Sequence, residues 1–320
     1  MLLTIGLIIL GLVVLLSAGD VLVRGAVGLA TALKIPALIV SLTIVAFGTS
    51  APELIVSINA VLSGNAGIAL GNIIGSNIAN VLLVIGLPAI IYPMSTKVDG
   101  LRRHALIMLI ATAAFAAIAY GRGAIDHVTG PILFAAIMTF VGYMWLRAQR
   151  CNNDDSMLDE VAEYAEGNGL SLRTILYIVV GLIGLPLGAH LLVSNGASLA
   201  ASLGVRDEII GLTIVAFGTS LPELATVAAA AVQKKSDVAI GGIVGSNIFN
   251  LLAVGGAAGI TGTAVFATPS LSFDLPIMVL SSVILAGYIF TRRDIGRFSG
   301  FLMFAGYISF IAAIAVKAAA

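Results

Sequence analysis

This chain is short of charge. Asp, Glu, Lys and Arg make up only 10% of its 320 residues, whereas a soluble domain carries about 25%. Sixteen basic residues balance sixteen acidic ones, so no basic field exists to hold nucleic acid. The single cysteine, Cys151, excludes an internal disulfide. The three histidines, His104, His127 and His190, lack metal-ligand spacing, which argues against a zinc site. No Lys or Arg precedes the apolar stretch from Leu2 to Leu16. A secretory signal peptide needs that positive flank, so the stretch is expected to begin a first transmembrane helix. What fills the chain instead is apolar: 59% of residues are hydrophobic, and the mean hydropathy is +1.11. A soluble fold of this size cannot hide so much apolar surface. The lipid bilayer is the solvent that suits it.

A spanning helix needs about 20 mostly apolar residues. That ruler gives ten candidates, near 3–33, 37–63, 67–92, 101–120, 127–146, 172–203, 207–232, 237–260, 272–290 and 298–316. The expected fold is an all-α membrane protein. One clearly polar stretch, Arg147 to Arg173, divides it and holds Asp154, Asp155, Asp159, Glu160, Glu163 and Glu166. Alternate loops then differ in charge. One set carries Lys34, Lys97, Arg102, Arg103, Arg147, Arg150, Arg173, Lys234, Lys235, Arg292, Arg293 and Arg297; the other carries Arg122, Arg206 and Lys317. Cytoplasmic loops are the Lys- and Arg-rich ones. Both termini are therefore expected outside an inner membrane, with the acidic loop in the cytoplasm as a solvated linker.

The chain also repeats itself. Residues 42–50 and 212–220 both read LTIVAFGTS, continuing as APEL (51–54) and LPEL (221–224). GNIIGSNIAN (71–80) is matched by GGIVGSNIFN (241–250), at the same offset of 170. Each copy holds five spans, and an odd number inverts the second copy relative to the first. The expected organisation is a first five-helix repeat (1–146), a cytoplasmic acidic loop (147–171) and a second five-helix repeat (172–320). Inverted repeats of this kind place a substrate site near the bilayer midplane, at the repeat interface, on discontinuous helices.

Three acids fall inside the spans, Asp20, Glu53 and Glu223, and only the two glutamates repeat. Each costs about 2.5–3.5 kcal/mol at mid-bilayer, and a bound cation would offset that cost. Pro52 and Pro222 lack an N–H and crowd the carbonyls of Gly48 and Gly218. Backbone oxygens from Ala46 to Thr49 and from Ala216 to Thr219 are thereby expected to be freed. Thr49, Ser50 and Glu53 share one helical face, as do Thr219, Ser220 and Glu223. Ser76 with Asn80, and Ser246 with Asn250, add hydroxyl and amide oxygens four residues apart. Gly71, Gly75, Gly241 and Gly245 suit close helix packing. The pooled ligands are oxygens, without sulfur or imidazole. Such a set suits a hard cation, and a flexible broken-helix site favours calcium over magnesium. Asp20 and Arg24, four apart, read as a local ion pair.

The paired GTSxPE and GSNIxN motifs resemble the alpha repeats of the sodium/calcium exchanger family, within the calcium/cation antiporter superfamily. The resemblance covers nearly the whole chain. It implies exchange of calcium for sodium by alternating access, as in a prokaryotic member. It further implies that Glu53 and Glu223 bind calcium with the backbone oxygens of Thr49 and Thr219. Ala46, Ser50 and Ser246 would form one flanking sodium site, and Ala216, Ser220 and Ser76 the other. Asn80 and Asn250 would lie in the central layer. Some relatives carry Asp at one or both of these positions, and the amides here argue against potassium co-transport. The first and sixth helices would slide across a rigid core. The alternatives are a calcium/proton exchanger, a cation channel and an intramembrane acid/base enzyme. No nucleophile or cofactor motif accompanies the two acids, so no catalysis and no cofactor are expected. The expected partners are calcium and sodium ions and the lipid bilayer.

Overall fold

The computed structural model describes residues 2–151, 170–202, 218–268 and 270–319. Its helices follow the apolar runs. Helix α1 spans Leu2–Leu33. Helices α2 (Ala37–Thr49) and α3 (Ala51–Leu62) are two arms of one bent helix, with an angle of 42° between them. Then come α4 (Ala66–Ile91), α5 (Leu101–Arg122) and α6 (Thr129–Cys151). The second half holds α7 (Leu172–Ser202), α8 (Leu221–Val232), α9 (Ser236–Thr261), α10 (Ser270–Thr291) and α11 (Arg297–Ala319). Among the described residues eight helices are long and apolar enough to cross a membrane, or nine if the bent pair forms one more span. The chain is an all-helical, multi-pass membrane protein. The expected span at 207–232 is described only from residue 218, and α8 is its second part. Helix α6 runs to Cys151, beyond the expected boundary at 146. The acidic stretch 152–169 lies outside the described residues.

The apolar surface is where lipid requires it. Ile9 and Val13, Leu106 and Ile110, and Leu176 and Val180 are exposed pairs four residues apart, so each forms a stripe along one helix face. The interior is built around α4 and α9, the most enclosed spans. Long α1 packs against α7, and glycine makes the approach close. A Cβ on Gly11 would lie 2.8 Å from the Leu192 nitrogen, and one on Gly188 would lie 2.7 Å from the Leu15 nitrogen. Without a hydrophobic force between helices in lipid, such small-residue contacts are what hold a pair together.

The 170-residue offset reappears in the backbone. Helix α3 ends with Asn65 N–H bonded to the Ala60 carbonyl, and α8 ends with Lys235 N–H bonded to Ala230, both at 2.8 Å. These 6→1 bonds mark Schellman ends, which need a left-handed residue. Gly64 takes it at φ 78°, and Lys234, its repeat partner, takes it at φ 57°. Two short bridges also tie the halves together. Met94 pairs with Ile295. Strands β1 (Ala124–Ile125) and β2 (Ala264–Val265) pair antiparallel, with Ile125 opposite Ala264. Adding 170 to 94 and subtracting it from 295 gives 264 and 125, so each bridge is the other with the halves exchanged. They sit at opposite ends of α5 and α10.

Candidate functional site: a buried oxygen cluster at two helix breaks

The chain breaks its helix at the same place in each half. Ser50 has φ −85° and ψ 3°, and Ser220 has φ −86° and ψ 2°. Each precedes a fresh helix with proline in its first turn, where the missing N–H has no intrahelical partner to lose. Glu53 and Glu223 sit in those first turns. The positive end of a helix dipole favours a carboxylate there.

Both acids are inside the protein: Glu53 is 1% and Glu223 2% exposed. They are close enough for their charges to interact directly. Ser50 donates its hydroxyl to Glu223 Oε1 at 3.2 Å. Thr49 lies beside Glu223, and Ser76 lies beside Glu53. The hydroxyls of Thr49 and Ser246 are 3.3 Å apart. Asn80 donates Nδ2 to Asn247 Oδ1 at 3.0 Å. Thr49, Ser50, Ser76, Asn80, Ser220, Ser246 and Asn250 are all buried. Thr219 is half-buried, with its hydroxyl 3.5 Å from Asn72 Oδ1. Ala46 is buried against Gly245, and its carbonyl accepts both the Ser50 N–H and the Thr49 hydroxyl. Ala216 lies outside the described residues.

The two halves use this set unequally. The bond from Ser50 to Glu223 would be matched, with the halves exchanged, by one from Ser220 to Glu53. The bond from Asn80 to Asn247 would be matched by one from Asn250 to Asn77. Neither matching bond forms: Ser220 Oγ, both Glu53 oxygens, Asn77 Oδ1 and both amide atoms of Asn250 have no partner. Among the described residues, eight of the nine buried side-chain atoms without a hydrogen bond belong to these motifs. Each such atom costs about 1–3 kcal/mol. Most are oxygens, and they sit with two carboxylates. That donor set fits a hard cation.

Asn72 stands inside a duplicated string but is not itself duplicated, since Gly242 is its partner. Asn72 donates to the Glu53 carbonyl at 3.1 Å and to Ser57 at 3.0 Å. It therefore fastens α3 to α4 just beside the acid. A cavity of about 390 Å³ reaches this place, lined by Gly71, Asn72, Gly75, Ser76, Thr219 and Asp274 among others. The opposite face is filled. A Cβ on Gly241 would meet Leu38, and one on Gly245 would lie 2.8 Å from the Leu42 carbonyl oxygen. Turning Asn80 and Asn250 each start a wide π-helical turn, Asn80–Ile85 and Asn250–Val254. Such turns loosen the regular backbone pairing and are frequent at functional sites.

This geometry defines a membrane protein with a buried cluster of oxygens whose chemistry suits a hard cation. The family model described as "Sodium/calcium exchanger protein" matches residues 3–147 and 173–316. The chain belongs to the sodium/calcium exchanger family. It is thus a cation antiporter of the calcium-transporting class and not an enzyme. It is 34% identical to "Inner membrane protein YrbG" of Escherichia coli (strain K12), over 98% of this chain and 97% of that one. It is 32% identical to "Sodium/calcium exchanger MaX1" of Methanosarcina acetivorans, over 95% and 96%. Its fold matches the sodium-calcium exchanger NCX_Mj soaked with 2.5 mM Na+ and 10 mM Sr2+. The TM-score is 0.83 at 30% identity, covering 97% of this chain and 98% of that one.

Proposed function

We propose that this protein exchanges calcium for sodium by alternating access at the Glu53–Glu223 centre. The observation that carries the reading is the cluster of unpartnered buried oxygens around two interacting carboxylates. Two carboxylates balance one divalent ion, with Thr49 and Thr219 adding backbone oxygen. Ser50, Ser246 and Ala46 on one side, and Ser220, Ser76 and Ala216 on the other, serve sodium. Asn80 and Asn250 occupy the central layer. Shared carboxylates make the two loads mutually exclusive, and exclusion combined with rocking gives exchange.

The same reading takes the chain as ten spans in two inverted five-helix repeats, 1–146 and 172–320. The exchange-related strand bridges support it. It places both termini outside and loop 147–171 in the cytoplasm, following the basic loops. The open cavity then faces outward, because Ile68 near the turn after α3 and Ile314 near the chain end both line it.

The experiment is labelled-calcium uptake into reconstituted vesicles, with sodium, potassium and proton gradients imposed one at a time. Uptake is expected to follow sodium. Glu53→Gln and Glu223→Gln are expected to abolish it, since each removes one of two compensating charges. Uptake driven only by a pH gradient would replace sodium by protons as the counter-ion. Normal transport in both variants would refute the site.

A further inference from the structure

Four asparagines stand in the two GSNIxN strings. Asn77 and Asn80 on α4 are the repeat partners of Asn247 and Asn250 on α9. All four are buried, none more than 1% exposed. Asn247 donates Nδ2 to the sulfur of Met108 on α5, at 3.9 Å. A thioether can only accept, so this contact decides which end of the Asn247 amide faces which way. The other end, Oδ1, accepts from Asn80 Nδ2 at 3.0 Å. Asn80 is oriented in turn: its NH2 is engaged, and its Oδ1 has no partner among the described residues. An amide held in this way presents oxygen, the end that a hard cation takes.

The other half holds the same parts unassembled. Met278 on α10 is the repeat partner of Met108, and both are buried. Asn77 donates Nδ2 to the Ile73 carbonyl, one turn back on its own helix, at 2.8 Å. Its Oδ1 has no partner among the described residues, and neither amide atom of Asn250 has one. The chain thus contains two equivalent sets, Met108–Asn247–Asn80 and Met278–Asn77–Asn250, and one of them is joined. Idle buried amides cost stability. A second conformation that joins the idle set would offset that cost, and exchanging the roles of two inverted halves produces such a conformation.

We propose that Asn247 and Asn77 are positioning residues that work in turn. Asn247 orients the Asn80 amide in the conformation described above, and Asn77 orients the Asn250 amide in the opposite one. This rests on the exchange reading above. In the opposite conformation Asn250 donates to Asn77 Oδ1, and Asn77 Nδ2 leaves the Ile73 carbonyl for the Met278 sulfur. Asn247 then drops Asn80 and takes the carbonyl of Ile243, the repeat partner of Ile73. As many bonds form as break, so the intact pair favours neither state. Loss of one member biases the protein against the state it serves. General damage to packing has no reason to choose one face of the membrane, since Asn77 and Asn247 are equally buried.

The test is the calcium dependence of exchange in right-side-out and inverted membrane vesicles, for the wild type, Asn247→Ala, Asn77→Ala and the double variant. In right-side-out vesicles, where the cavity faces outward, Asn247→Ala is expected to raise the calcium KM roughly fivefold, the worth of one hydrogen bond. In inverted vesicles it should leave that KM within about twofold. Asn77→Ala should do the reverse, and the double variant should show both rises. Met108→Leu and Met278→Leu keep the core volume and so keep the fold. They should follow Asn247→Ala and Asn77→Ala respectively, by about twofold each, because sulfur is a weak acceptor. They carry the same comparison should the alanine variants fail to reach the membrane. A rise on both faces from either single variant, two single variants acting on the same face, or an unmoved KM throughout would each overturn the pairing while exchange stands. Wild-type vesicles without any sodium-driven calcium flux would remove both readings together.

Discussion

Replacing Gly245 by alanine should turn the transporter away from the conformation described above. A Cβ at Gly245 would lie 2.7 Å from the Ala46 Cβ, 2.8 Å from the Leu42 oxygen and 2.9 Å from the Leu42 Cα. Ordinary carbon contacts are about 3.5–4.0 Å. Two of the three obstacles are backbone, so α2 must move away by most of an ångström. Overpacking of this kind costs about 1–3 kcal/mol. Alanine is a better helix former than glycine by up to about 1 kcal/mol, but α9 is helical in either state, so that gain cancels. The net effect is a shift of about 5- to 150-fold in the ratio of the two states. Gly75, the repeat partner, lines the open cavity, and among the described residues nothing lies within 4 Å of its would-be Cβ. By exchange of the halves, Gly75→Ala should oppose the other state.

The assay is labelling by a membrane-impermeant thiol reagent at Ile311→Cys, a half-buried cavity position. Cys151 is replaced by serine in the background. Gly245→Ala should slow labelling from the cavity side, and Gly75→Ala should hold or raise it. Equal labelling in both variants and the parent would refute the idea that packing at these glycines decides which face is open.

Two further perturbations follow from the same coordinates. Ser50→Ala with Ser220→Ala removes hydroxyls worth about 1 kcal/mol each, roughly fivefold in affinity per site. Sodium dependence of uptake should weaken more than calcium binding, and an unaltered sodium affinity would count against that division. Asp126, in the turn before α6, accepts the Thr129 and Val128 N–H groups and faces Arg122 at 2.8 Å. Chiefly the Thr129 N–H, then the Arg122 guanidinium, hold its carboxyl well below the usual carboxylate range. A lowered folded value adds stability that is present above the unfolded value, near 4, and drains away as pH falls. Asp126→Asn should lower Tm at pH 7, with the gap closing progressively below about pH 4. A gap that stays constant on acidification would show that charge is not its source.

The motif acids and hydroxyls were legible in the sequence because they occur twice. Identical strings around Glu53 and Glu223 gave the pairing, and coarse hydropathy gave the helices. What the repeat cannot flag is a residue present in one copy alone. Asn72 faces a glycine in the alignment, Gly242, and Asp274 faces His104, yet both line the cavity. Asn77 and Asn247 stood inside the quoted strings without a role of their own. Asn247 in fact accepts a hydrogen bond from Asn80. The pairing of Asp20 with Arg24 at 2.9 Å follows from their spacing. The bond from Gln233 to Asp20, also joining α1 to the end of α8, needs the tertiary fold. Lys234 at positive φ was equally hidden, since only its glycine partner advertises that backbone.

The reciprocal bridges at Met94–Ile295 and Ile125–Ala264 reach beyond packing, to ancestry. Each half supplies one lip of both joints, and the residues at either joint are equivalent. Two copies of a single ancestral half, meeting as separate chains, could have closed both ends with the same pair of contacts. Fusion into one polypeptide then had no new interface to invent. It freed the copies to diverge, as Asn72 against Gly242, Gly64 against Lys234 and His104 against Asp274 show.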